Sequence, residues 1–139
     1  MENCVITNTK EETMELGFRL GSKWLGKNKV VGLEGELGAG KTTFVKGLAK
    51  AMGVDQNIKS PTFVLLKEYS GKKGLLVHVD AYRLDGIKND DLGLGDYFDR
   101  AIIIVEWYQL IENILPRVDV VVKFEHVAGG GRKICIRES

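Results

Sequence analysis

Apolar residues recur along this chain in two rhythms, one suited to helices and one to strands. Met14, Leu16, Phe18, Leu20, Trp24 and Leu25 offer the apolar face of a helix that ends at Gly26. Thr9 and Glu12, three positions apart, are able to cap its start reciprocally. The β-branched run from Lys29 to Glu34 predicts a strand, and Thr43 to Met52 predicts a helix closed by Gly53. Pro61 holds Ser60 extended, so residues 58–62 form a loop. Phe63 to Tyr69 and Leu75 to Asp80 then read as a hairpin across a five-residue loop, Ser70 to Gly74.

Residues 85–99 are polar and acidic, with three glycines, and predict a mobile surface segment with a helical turn near Leu92. Ala101-Ile102-Ile103-Ile104-Val105 is apolar on both faces, the mark of a buried strand, and it ends at Glu106-Trp107. A short helix over Gln109 to Leu115 stops at Pro116. Asp119 to Phe124 and Lys133 to Arg137 pair across Gly129-Gly130-Gly131. This order predicts an α/β domain with a mixed sheet, parallel in the centre and antiparallel in its edge hairpins.

Composition narrows the picture. At 139 residues and 44% hydrophobic, the chain has enough material for one core, so residues 1–139 are expected to form a single domain. A net charge of +1 excludes a large cationic field and argues against strong standalone binding to nucleic acid. Met1-Glu2-Asn3 opens no targeting segment, and no run of about 18 apolar residues occurs, so the expectation is a cytoplasmic protein with no membrane attachment. Cys4 and Cys135 stand alone and read as buried reduced thiols, with a disulfide as the lesser alternative. His78 and His126 lack metal-ligand spacing and read as structural, and Lys72-Lys73 as solvated turn residues.

The chemistry concentrates at Gly35-Glu36-Leu37-Gly38-Ala39-Gly40-Lys41-Thr42, a G-x-x-x-x-G-K-T phosphate loop between a strand and a helix. Its glycines let backbone N–H groups turn toward phosphate oxygens, at the positive end of the following helix. Leu37, Gly38, Ala39, Gly40, Lys41, Thr42 and Thr43 are therefore the expected phosphate contacts. Lys41 reaches the β- and γ-phosphates, and the Thr42 hydroxyl is a ligand for Mg²⁺. Two further strands end in carboxylates, Asp80 and Glu106, and ligands gather at the carboxyl ends of strands in open α/β sheets. One acid suits the metal and the other suits orienting or deprotonating an attacking water; order alone does not say which does which. Thr62, in Ser60-Pro61-Thr62-Phe63, lies where a γ-phosphate switch would sit, and Arg83 is a candidate internal finger or a salt-bridge residue.

Together, residues 35–44, 60–63, 78–84 (His-Val-Asp-Ala-Tyr-Arg-Leu) and 105–107 (Val-Glu-Trp) resemble the TsaE (YjeE) family in order and spacing over nearly the whole chain. These are bacterial P-loop ATPases required for making N6-threonylcarbamoyladenosine in tRNA. The resemblance implies a P-loop NTPase-like three-layer domain that binds ATP with Mg²⁺ and works with a TsaB-TsaD pair, meeting tRNA only through that complex. It implies Thr42 and Glu106 as metal ligands, with Lys41, Asp80 and Glu106 as the catalytic set and Thr62 in a switch loop. Nucleotide contacts would come from the segment around Thr9 to Glu12 and from Gly131-Arg132. The polar stretch after Leu84 departs from the family in lacking a run of helix formers. Two other readings compete: a small-molecule kinase, disfavoured by the acidic rather than basic candidate lid at 85–99, and a non-catalytic module for which ATP is a conformational ligand. No Asn-Lys-x-Asp segment supports guanine recognition.

Overall fold

Seven strands form one sheet in a computed structural model whose described residues are 2–36, 39–59, 66–82 and 93–139. The strands are β1 (Glu2–Thr7), β2 (Val30–Glu34), β3 (Leu66–Gly71), β4 (Gly74–Asp80), β5 (Ala101–Glu106), β6 (Val120–His126) and β7 (Arg132–Glu138). They lie in the order β1-β7-β6-β2-β5-β4-β3. β6, β2, β5 and β4 are parallel, while β1–β7, β7–β6 and β3–β4 are antiparallel. The centrally parallel sheet with antiparallel margins is the one that the order of elements predicts.

Alternation along the strands divides the core between the two faces. Val31, Leu33, Ile102 and Ile104 point toward helices α1 (Lys10–Trp24) and α2 (Lys41–Ala51). Val30, Val77, Val79, Ile103 and Val105 point the other way, toward Leu94, Tyr108, Ile111 and Leu115. That second face is covered, among the described residues, by the 3₁₀ segments Leu94–Asp96 and Tyr108–Ile114. The short helix expected before Pro116 is present, as a 3₁₀ helix over Tyr108–Ile114 kinked at Ile111.

α1 starts as its sequence dictates. Thr9 Oγ1 accepts from the Glu12 amide at 3.1 Å, and Glu12 Oε1 accepts from the Thr9 amide at 3.2 Å. Its packed face differs from the expected one. Thr13, Leu16, Gly17, Gly21 and Trp24 are buried, whereas Phe18 is 42% exposed. Glycine creates that face: a β-carbon at Gly17 would run into the Phe44 carbonyl oxygen, and one at Gly47 into that of Met14. The two helices therefore meet backbone to backbone.

Several expectations are corrected. β3 and β4 extend to Gly71 and Gly74, so the hairpin turn is Lys72-Lys73 rather than five residues. Those lysines are more than solvated turn residues, because their amides donate to Gly53 O at 3.2 Å and Met52 O at 3.0 Å, satisfying the end of α2. Leu94 is fully buried, so the end of the 85–99 stretch is anchored in the core rather than lying on the surface. Cys4 and Cys135 are neither reduced nor both buried. Antiparallel register sets them directly opposite each other, they form a disulfide, and Cys4 is exposed. Ser60, Pro61, Thr62 and Phe63, the start of the expected hairpin through Leu65, Arg83, Leu84 and the turn near Leu92 lie outside the described residues, as do Leu37 and Gly38. No helix among the described residues is long and apolar enough to cross a membrane.

Candidate nucleotide site

β2 leaves the sheet at Glu34, and α2 begins at Lys41 with Gly40 as its N-cap. Gly40 has φ +102°, a left-handed conformation that costs a glycine little. Among the described residues no side chain caps α2, and its first turn holds no acid to compete for the amides that open it. Such a terminus attracts anions through its N–H groups and its dipole. It faces an open cleft of about 1740 Å³, larger than the several hundred Å³ typical of small-ligand pockets.

Parallel pairing brings the other strand ends to the same place. Asp80 of β4 is the register partner of Glu106 of β5, and Glu106 is that of Leu33 of β2. Both carboxylates therefore reach the cleft beside the phosphate loop, as strand order at the carboxyl edge requires. Glu106 is 8% exposed. One of its oxygens lies 3.3 Å from Lys41 Nζ and the other 2.8 Å from His78 Nε2. Burial pushes its carboxyl upward, but the His78 hydrogen bond and the charges of His78 and Lys41 outweigh that and hold it below the usual carboxylate range. Asp80 Oδ1 accepts from the Tyr82 amide at 3.0 Å.

Trp107, next along the chain, is a non-glycine residue with positive φ, 61°. Its ring meets Tyr82 edge-on, centroids 5.1 Å apart, and both line the cleft. Backbone of this kind persists where its surroundings over-determine it, commonly at binding sites. At the other end, Thr7 to Lys10, Thr13, Lys123 to His126, Gly130 and Arg132 complete the wall. Thr7 and Thr13 share a 2.7 Å hydroxyl hydrogen bond, which ties the end of β1 to α1.

Of the residues singled out from sequence, Gly40, Lys41, Thr42, Thr43, Asp80, Glu106 and Arg132 line this one cleft. Ala39 is buried behind it, and Gly131 packs against Asn8 and Thr7 with its carbonyl accepting from Arg132. Leu37, Gly38 and Thr62 lie outside the described residues. His78, read from sequence as structural, bonds instead to Glu106, 28 residues away in the chain. The available signal was its position two residues before Asp80 on a strand, which gives both the same face.

A parallel sheet whose first central strand runs through an uncapped glycine-rich turn into a helix, with a lysine and two strand-end carboxylates around it, defines a P-loop NTPase-like protein. Residues 7–134 match the family described as threonylcarbamoyl adenosine biosynthesis protein TsaE. The chain belongs to the TsaE family. It is 42% identical over 120 residues to the tRNA threonylcarbamoyladenosine biosynthesis protein TsaE of Bacillus subtilis, covering 84% of this chain and 75% of that protein. The protein of the same name from Treponema pallidum is 35% identical over 133 residues, 94% of this chain and 97% of its own. A crystal structure of Bacillus subtilis YdiB superposes with a TM-score of 0.81 at 30% identity, covering 99% of this chain and 86% of that one. The family and its fold carry ATPase-type activity and nucleotide binding in the formation of threonylcarbamoyladenosine in tRNA.

Proposed function

We propose that the cleft binds ATP with Mg²⁺ and that the chain hydrolyses the β–γ phosphoanhydride bond as the ATPase subunit of the tRNA threonylcarbamoyladenosine machinery, acting with a TsaB-TsaD pair in the cytoplasm. The observation that carries this reading is the Lys41–Glu106 ion pair set against the uncapped start of α2. It supplies a cation for the phosphates and a carboxylate for the metal within one side chain's reach.

The amides opening α2 bind the phosphates, and Leu37 and Gly38 belong to the same loop in sequence. Lys41 leaves Glu106 for the phosphate oxygens, where its charge gains importance as negative charge shifts toward the leaving oxygen. The Thr42 hydroxyl and the Glu106 carboxylate are hard oxygen donors and suit Mg²⁺. A metal held by these two groups would supply charge neutralisation to the phosphates. Asp80, beside Glu106 but outside its ion pair, orients the attacking water and takes its proton. Thr62 senses the γ-phosphate, while Thr9 to Glu12, Gly131 and Arg132 hold the nucleoside end. Hydrolysis resets the modification cycle.

Lys41→Ala is expected to weaken triphosphate binding and abolish turnover. Glu106→Ala is expected to raise the Mg²⁺ requirement, and Asp80→Ala to spare binding while reducing turnover. The direct test is pull-down with TsaB and TsaD in ATP against ADP, followed by phosphate release from the complex. Normal hydrolysis by Lys41→Ala, or a stoichiometric phosphorylated acceptor in place of free phosphate, would replace this reading with another.

A further inference from the structure

Of the two histidines, His78 has no part in the scheme above, yet it sits in contact with the scheme's central carboxylate. Its side chain is fully buried, and Nε2 lies 2.8 Å from Glu106 Oε2. The second ring nitrogen, Nδ1, finds no hydrogen-bond partner among the described residues. Burying a polar atom without a partner is unfavourable, so packing alone would favour an apolar side chain here. β4 points His78 at the same sheet face as Asp80, and its register partner on β5 is Ile104, two residues before Glu106 on that face. The imidazole therefore comes from inside the sheet, behind the carboxylate, whereas Lys41 approaches from the phosphate loop.

We propose that His78 is a positioning residue that fixes Glu106 at the cleft edge, so that the carboxylate stays in place for the metal once Lys41 departs for the phosphates. This rests on the reading of Glu106 as a metal ligand. The two oxygens of Glu106 have different partners: one is shared with a cation that nucleotide draws away, and the other with a buried N–H donor that nucleotide cannot reach. Without the histidine, the carboxylate would lose both restraints on nucleotide entry, and metal binding would have to order it. Partners that hold a metal ligand in this way are worth about ten- to a hundredfold in metal affinity.

Three substitutions separate this role from packing. His78→Gln offers an N–H donor at the reach of Nε2, His78→Asn offers one only at the reach of Nδ1, and His78→Leu offers none. The measurement is calorimetric affinity for a non-hydrolysable ATP analogue, first in EDTA and then in excess Mg²⁺, with thermal melting to verify folding. The expected result is that the Mg²⁺-dependent gain in affinity falls about tenfold in His78→Asn and His78→Leu. His78→Gln should keep most of it, and affinity in EDTA should stay constant across all three. An undiminished gain in His78→Asn and His78→Leu overturns the proposal. So does a His78→Gln protein that folds but loses as much as His78→Leu, or an equal loss in EDTA, which marks a purely structural role. Glu106→Gln serves as the reference: if it keeps the full Mg²⁺ gain, the metal-ligand assignment itself fails, a result distinct from failure of His78 alone.

Discussion

Glu106 is an acid removed from water, and isolated burial of such a charge is costly. Its two partners, Lys41 and His78, offset that cost. Two residues further along the chain, Tyr108 donates to Glu34 Oε1 at 2.7 Å. Burial, that hydrogen bond and the charge of Glu34 push the Tyr108 phenol up to about 12 from 10.0. A raised folded-state value means that the protonated phenol favours folding below pH 10 and that this contribution disappears as pH rises toward 12. Tyr108→Phe is thus expected to cost about 1 kcal/mol at pH 9. Urea unfolding at stepwise higher pH should find the gap between the two proteins closing between pH 10 and 12, and a gap independent of pH would contradict the coupling. At this scale Lys41, Thr42, Asp80 and Glu106 were legible in the sequence, because loop spacing and strand ends specify them directly. His78 was not, since its partner depends on which strand lies beside β4.

The contact between α1 and α2 governs where α2, and with it Lys41, sits. Gly17 and Gly47 let the backbones touch, and neither position leaves space for a methyl group. Gly47→Ala is expected to destabilise by about 1–3 kcal/mol or more, as overpacking does. It should also weaken nucleotide binding, because α2 must shift and carries Lys41 with it. Calorimetric melting and nucleotide titration would check both effects; a stable variant with normal affinity would mean that the helices slide freely. Thr9→Ala, which removes one half of the capping box, is expected to cost about 1 kcal/mol without moving α2. The capping box could be read from sequence because its spacing is local. The helix face could not: apolar periodicity counts Phe18 as core and glycine as neutral, although here glycine occupies the contact and Phe18 faces solvent. The segment before Pro116 had helical composition, but its actual 3₁₀ winding and kink at Ile111 depend on packing against β5 and β2.

Over the whole molecule, the mixed sheet followed from which strands are joined by hairpins and which by crossovers. Its order did not, and neither did the meeting of the first and last strands at one margin. That meeting explains the cysteine pair, separated by 131 positions in sequence and opposed in register. The bond belongs to oxidised protein; in a reducing compartment the same register leaves two facing thiols. In the chain-entropy picture, closing a segment this long stabilises by roughly 4–5 kcal/mol. Oxidised protein is therefore expected to melt several degrees above the Cys4→Ser variant, and coincident melting curves would show that the edge strand contributes little to cooperative unfolding. The same link ties residues 4 and 135 into a covalent ring. A protease that nicks the backbone once anywhere inside the ring leaves both fragments tethered, so the cut protein should run as one band in non-reducing electrophoresis and part into two when dithiothreitol is added.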